Sequence, residues 1–347
     1  MLGGGTFVAQ NKILPGAYIN FVNASRATAT LGERGVVAIA LPLGKAAGTV
    51  IEITATEFVK DSSTILGKDY TDASMIALRE IFRHASKCVI YDLGLESDQT
   101  ASDAIAALEP YDFNAIAIYT SVAEDIASYV AAVKSWRDDI GKKVVGVGYN
   151  LPNANHEGLI NVVSTISDDG APEYALVAWV AGAEAGCEVN KSVTNEVYDG
   201  EYTVICNHRQ TALETCLESG QFVFHLVYGS VRVLEDINSL VDTTADKGDD
   251  FKSNQTIRVI DQIANDIAKI FNTKYLGKIP NNESGRISLW GDIVSHHRQL
   301  EQIEAIADFD SSLVTVEEGQ TKSSIVVNDA VTPVNAMARV YMTVIVS

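Results

Sequence analysis

The chain has 347 residues, 47% hydrophobic and 20% charged, with 26 Lys and Arg against 45 Asp and Glu for a formal net charge of −19. That apolar content can fill a large core, which excludes a chain disordered throughout. The acidic balance repels a phosphate backbone and argues against broad nucleic-acid binding.

The first thirty residues read as an extended segment. Gly3-Gly4-Gly5 gives a flexible start, Pro15-Gly16 a turn, and Ala17-Tyr18-Ile19-Asn20-Phe21-Val22 a short β-type run with too few apolar residues around it for a core of its own. Fully extended, residues 6–28 would reach about 70 Å at about 3.3 Å per residue. Residues 31–245 then alternate. Strand-like runs are expected at Val36–Leu41, Val50–Thr54, Cys88–Leu93, Ala115–Tyr119, Lys143–Gly148, Ile160–Val163, Tyr202–Cys206 and Gln221–Val233. Helices are expected between them, at Asp72–Ala85 with Asp72 as N-cap, Thr100–Leu108 with Ser102-Asp103 at its start, Ala123–Ile140, Pro172–Gly186 and Arg209–Glu218. That alternation predicts a layered α/β domain.

Residues 246–347 change character, making the chain α+β overall. Asn254–Phe271 places Ile257, Ile260, Ile263, Ala264, Ile267 and Ile270 on one helical face. A second helix is expected over Gly285–Ile306, after a turn at Tyr275–Pro280, with Arg286, His296, His297 and Arg298 along it. Strand-like sequence closes the chain at Ser324–Asn328 and Ala338–Val346, the last run being apolar with no hairpin partner after it.

Charge follows the same division. Residues 1–50 hold Lys12, Arg26, Arg34 and Lys45 against Glu33, residues 251–300 hold seven basic side chains against four acidic ones, and residues 51–250 carry −20. The expected picture is an acidic body with basic segments directed at other molecules. Cys88, Cys187, Cys206 and Cys216 lack the close spacing of a disulfide or zinc framework and are expected to be reduced thiols. The start of the chain shows no signal-peptide pattern, which fits synthesis in the bacterial cytoplasm. The most apolar run, Tyr174–Cys187, is shorter than the roughly 20 residues that a bilayer requires, so a buried helix is expected and no membrane contact.

Catalytic and cofactor signatures are sparse. Gly146-Val147-Gly148 follows a strand but lacks the third glycine of a dinucleotide loop, and Pro152 interrupts a helix start there. His297 and Glu301 lie one helical turn apart with no third ligand in view, so His296 and His297 are read as part of a solvated, partly basic helix face. The remaining histidines are scattered. No catalytic residue, metal or cofactor is expected; the alternative is an α/β nucleotide- or metabolite-binding enzyme using strand ends such as Gly148–Asn150.

The two ends carry the strongest signal. The opening GGGTFVAQNKILPGAYINFVN with Arg26-Ala27 and Glu33-Arg34-Gly35 resembles contractile tail sheath proteins of myophages and phage-tail-like bacteriocins. So do Glu109–Ala115, Phe251–Asp261, Asn272–Gly285 and Val331–Val344. The resemblance implies a helical homopolymer around an inner tail tube protein, with baseplate and tail terminator proteins as further partners. Its subunits would be joined by terminal strands, here Ala17–Val22 and Arg339-Val340-Tyr341-Met342-Thr343-Val344-Ile345-Val346. It also implies that the helices of residues 246–347 face the tube, with Arg286, His297 and Arg298 as candidate contacts. Many members insert an outer β domain after the strand matching Val89–Leu93; about seventeen residues separate Leu93 from Tyr111 here, leaving no room for one.

Overall fold

The computed structural model describes residues 31–345 apart from Ser97. The predicted strand Ala17–Val22 and Val346 therefore lie outside the described residues. The first half of the fold runs β1 (Val36–Leu41), β2 (Val50–Thr54), α1 (Ala55–Ile65), α2 (Ile76–Ile81), β3 (Lys87–Asp92), α3 (Ala101–Leu108), β4 (Ala115–Ile118), α4 (Ala123–Ser135), β5 (Val145–Tyr149) and β6 (Leu159–Val162). It continues with β7 (Thr165–Ile166), α5 (Leu176–Gly186), β8 (Val204–Ile205), α6 (Gln210–Glu218), β9 (Gln221–Phe222), β10 (Phe224–Val227) and β11 (Ser230–Val233). The last part consists of α7 (Asn254–Ile270), α8 (Glu283–Gln302), β12 (Ile306–Ala307), β13 (Thr315–Glu318), β14 (Ile325–Asn328) and β15 (Thr332–Pro333).

A seven-stranded sheet in the order β2-β3-β1-β4-β5-β6-β9 forms the centre. All neighbours in it are parallel except the β2–β3 edge pair. Alternation along β1 shows why the sheet is doubly covered. Val37, Ile39 and Leu41 pack with α2 and α5 on one face, while Ala38 joins α3 and α4 on the other. Helix α5 is buried along its whole length, from Leu176 to Ala185. Gly182 and Gly186 let it approach the backbone of Ile81 and His84, where a Cβ would collide with carbonyl oxygens. The apolar run is thus a core helix, and no helix among the described residues is long and apolar enough to cross a membrane.

Several expectations are corrected. Helix α1 was not predicted because its inward stripe is thin, Phe58 and Ser62 only, although Thr54 and Glu57 form a capping box at its start. Residues 72–85 form a short 3-10 turn and the six-residue α2 rather than one helix, with Asp72 capping the turn. Thr100, paired with Asp103, caps α3, not Ser102. The run 172–186 becomes helical only at Leu176, and Tyr202–Cys206 keeps two strand residues. Gln221–Val233 divides into β9 and the hairpin β10–β11, which turns at Tyr228 (φ +48°) and Gly229 (φ +83°). Residues 338–345 are in no strand of this chain.

Candidate functional site

In an open parallel sheet the ligand crevice lies at the carboxyl ends of the strands where chain order reverses, here beside β1. The loop after β1 bends through Gly44 (φ +71°) and Gly48 (φ +80°), and its backbone N–H groups converge on one point. That point is the carboxylate of Asp92 at the end of β3. It accepts from Leu43 (3.0 Å), Gly44 (2.9 Å), Lys45 (2.7 Å), Ala46 (2.7 Å) and Gly94 (2.8 Å). Burial opposes ionisation of Asp92, but the converging N–H groups outweigh it and hold the carboxyl below its usual range. The nest that would cradle a phosphate in an enzyme of this topology is filled by the chain's own anion. The other crevice considered, Gly148–Asn150, is folded shut: the Asn150 N–H donates to Val162 at 3.0 Å, and Leu151 packs against Gly148.

Asp138, His156 and Glu157 are the one group among the described residues with the proximity of a metal site. His156 Nδ1 accepts from the Gly158 N–H at 2.9 Å, so its proton sits on Nε2 and points at Asp138 Oδ2, 3.1 Å away. Lys247 Nζ binds Glu157 at 2.7 Å. The donors a cation would use are already committed to hydrogen bonds.

The face of α7 that turns toward the α/β domain is polar, an inversion of the expectation from its isoleucine stripe. Arg258, Asp261, Gln262 and Asp266 are buried, whereas Ile260, Ile263 and Ile267 are only half-buried. Arg137, in the turn that ends α4, grips Asp261 through two bonds of 2.6 and 2.9 Å. Arg258 reaches Glu184 of α5 at 2.6 Å and Asp236 at 3.3 Å, and donates to the Lys191 carbonyl at 2.6 Å. Arg34, counted above among outward-directed charges, donates instead to the carbonyls of Glu184 (3.1 Å) and Cys187 (3.2 Å) and to Gln262 (3.4 Å). Burial, with Arg258 next, brings its pKa down to about 10. These pairs bind the helical part of the chain to the α/β sheet as one body. The polar residues recur at helical spacing in the sequence, but opposite an isoleucine stripe such a row reads as a solvated face.

Burial, with the charge of Asp236 second, pushes the Glu184 carboxyl up to about 8. The folded state therefore holds this proton more tightly than the unfolded one. Its contribution to stability is complete below the unfolded carboxyl pKa of about 4.3 and is lost as pH rises. The loss ends once pH has passed the folded value of about 8. Glu184→Gln, which mimics the protonated carboxyl, should flatten that alkaline decline; urea midpoints measured across this pH range check it.

His296 and His297 correct the solvated-face reading most directly. Both are fully buried, and His297 is withdrawn as a candidate tube contact. His296 Nε2 lies 2.9 Å from Asp266, the two Nδ1 atoms lie 3.2 Å apart, and His297 Nε2 lies 2.6 Å from Asp329. Asp266 also accepts from the Gly32 N–H, at 3.1 Å to each oxygen. On the same helix Arg298 is exposed, and the half-buried Arg286 donates to Asn281 at 3.1 Å.

The chain leaves the body along α7. Gln255 donates to the Val334 carbonyl at 3.0 Å and accepts from the Ala336 N–H at 2.9 Å, and Asn335 accepts from Thr256 at 3.2 Å. Arg339, expected in the terminal strand, pairs with Glu235 of its own chain at 3.1 Å. Beyond it Val340, Tyr341, Met342, Val344 and Ile345 are exposed, Val340 at 89% and Ile345 at 89%. The expected apolar run is anchored at its root and, among the described residues up to Ile345, in no strand. The hairpin β13–β14 stands as an isolated two-stranded sheet with Val326 and Val327 exposed.

Three family models tile the chain: Tail sheath protein Gp18 domain III N-terminal region over residues 34–93, Phage tail sheath protein central domain over 96–239, and Phage tail sheath C-terminal domain over 246–347. The Phage-like element PBSX protein XkdK of Bacillus subtilis (strain 168) is 33% identical over 264 residues, covering 72% of this chain and 56% of its own length. The chain thus spans little more than half the length of the curated relatives that it matches first. The crystal structure of a sheath tail protein from Desulfitobacterium hafniense superposes with a TM-score of 0.79 at 27% identity, covering 92% of this chain and 96% of that one. The helical sheath of the anti-feeding prophage in its contracted state shares the fold, with a TM-score of 0.72 at 16% identity over 96% of this chain and 99% of that one.

Proposed function

This chain belongs to the phage tail sheath protein family, and we propose that it polymerises helically around an inner tail tube and contracts to drive that tube through a bacterial envelope. The observation that carries the reading is the exposed apolar segment Val340–Ile345, tethered at Val334–Ala336 yet unpaired in its own chain. A run of that composition is an aggregation hazard unless a strand of another molecule covers it. The hairpin β13–β14 offers open edges, and two strands alone are marginal in water. Strand addition there by arms of neighbouring subunits would complete a sheet through backbone hydrogen bonds. Each subunit would then present different surfaces to its two neighbours, the condition for an open helix.

The polar clamp between α7 and the sheet supports movement of the subunit as a rigid body, with the arms as hinges. We read residues 1–30 as the N-terminal arm, 31–245 as the α/β sheath domain and 246–347 as the tube-facing unit. Among the described residues, α3 is the one element in the span from β3 to β4, which fits a subunit without an inserted outer domain. Synthesis in the bacterial cytoplasm and capping by baseplate and terminator proteins belong to the same reading. Family membership carries a structural role, and the filled nest at Asp92 speaks against the enzyme alternative.

Electron microscopy of the purified chain tests polymerisation: hollow helical tubes are expected, and discrete particles under all salt and tube-protein conditions would refute it. For the tube, Arg286 and Arg298 remain as candidate contacts. Reversing both, Arg286→Glu with Arg298→Glu, should abolish tube-templated assembly at moderate salt; unchanged assembly in a sedimentation assay would remove the tube-facing assignment.

A further inference from the structure

Between α7 and the start of β4 and β5 lies a cavity of about 20 Å³, whose wall includes Arg34, Asn114, Lys143, Glu184, Arg258 and Asp261. About 10–15 Å³ suffices for one water molecule, so the space takes a single small particle. Donors on the wall are left over. Arg258 is 3% exposed, and its terminal nitrogens are taken by the Lys191 carbonyl, Glu184 and Asp236. Its Nε has no partner among the described residues. Asn114 Oδ1 accepts from the N–H groups of Gly35 and Val36 at 3.0 Å each, which leaves the N–H end of that amide for the cavity.

The acceptors on the wall are already used. Asp261 gives one oxygen to each terminal nitrogen of Arg137, at 2.6 and 2.9 Å. The Glu184 carboxyl takes Arg258 at 2.6 Å and the Asn254 amide at 3.3 Å. Charge is unbalanced as well. Four cations, Arg34, Arg137, Lys143 and Arg258, stand against three carboxylates, Glu184, Asp236 and Asp261. The excess falls on Arg34 and Lys143, which donate only to carbonyl oxygens and to the Gln262 amide among the described residues. Because burial and Asp236 push the Glu184 carboxyl up to about 8, the excess widens at neutral pH. A cation removed from water without a counterion is costly.

We propose that this cavity binds a monovalent anion of chloride size, which bridges Arg34 and Arg258 and is the missing counterion of the clamp between α7 and the sheet. A water molecule would satisfy Arg258 Nε but leave the charge uncompensated. Sulfate and phosphate, with four oxygens around a central atom, are too large for the space. The anion ties the stretch that enters β1, through Arg34, to α7, through Arg258, and it stabilises the folded chain in proportion to its occupancy.

Urea unfolding of the full chain at constant ionic strength, with chloride replacing gluconate, tests the site. Raising chloride from none to about 200 mM should lower the unfolding equilibrium constant about tenfold, the response of a site with a Kd of about 20 mM. In Arg34→Gln, which removes the excess cation, the response should be less than about twofold. An unfolding constant indifferent to chloride, or an equal response in the folded variant, overturns the proposal. Should the variant not fold, crystals of the parent chain grown in bromide decide. An anomalous scattering peak beside Arg258 Nε is expected, and a water molecule without anomalous signal there refutes the anion.

Discussion

Arg258→Met is expected to cost the fold about 3–5 kcal/mol, the range for removing one member of a buried charge cluster. The arginine is fully buried and is the cation that faces both Glu184 and Asp236. Methionine fills similar volume, so the loss reports charge rather than a cavity. Asp236 keeps the Val193 N–H at 3.0 Å and Ser192 at 3.1 Å, which is not enough to replace a guanidinium. Urea unfolding followed by tryptophan fluorescence measures it. A loss below about 1 kcal/mol would place the pair with weak surface bridges and remove it as the clamp between α7 and the sheet.

Removing residues 337–347 should abolish tube formation while leaving the subunit folded. The cut falls after the anchored stretch Val334–Ala336, so Gln255 keeps its bonds. The described residues lost, 337–345, are exposed, and the ion pair between Arg339 and Glu235 is a partly solvated one worth about 1 kcal/mol or less. Thermal unfolding should therefore change little, whereas micrographs should show monomers where the full chain gives tubes. Tubes assembled from the truncated chain would overturn strand donation by the C-terminal segment. Deleting residues 1–30 makes the companion experiment, with the same expected separation of folding from assembly.

The parts of the fold set by period and apolar content were readable without coordinates. β1 and the antiparallel edge strand β2 fall where predicted, and β3 to β6 within two residues; β1 and β3 to β6 were legible because buried parallel strands are continuous apolar runs. What could not be read depended on partners distant in sequence. The row Arg258, Asp261, Gln262 and Asp266 looks solvated until Arg137, Glu184 and Gly32 are brought to it from more than seventy residues away. The histidines failed for the same reason: nothing near His297 in the chain announces Asp329. Asp92 falls inside the predicted strand Cys88–Leu93, and only the return of the loop after β1 reveals what its carboxylate does. The apolar composition of the terminal run was legible, but within this chain residues 338–345 form no strand and Val340–Ile345 are almost all exposed.

The plugged nest at Asp92 bears on where mechanical work can come from. A motor that cradled a nucleotide there could be rewound by hydrolysis, once per turnover. With an aspartate bonded permanently into the cradle, that route to refuelling is closed at this position. In the assembly proposed above, the driving force is then the difference in free energy between two packings of identical folded subunits, set when the last subunit is added. Such a device fires once, and its reproducibility rests on every copy sharing the same internal rigidity.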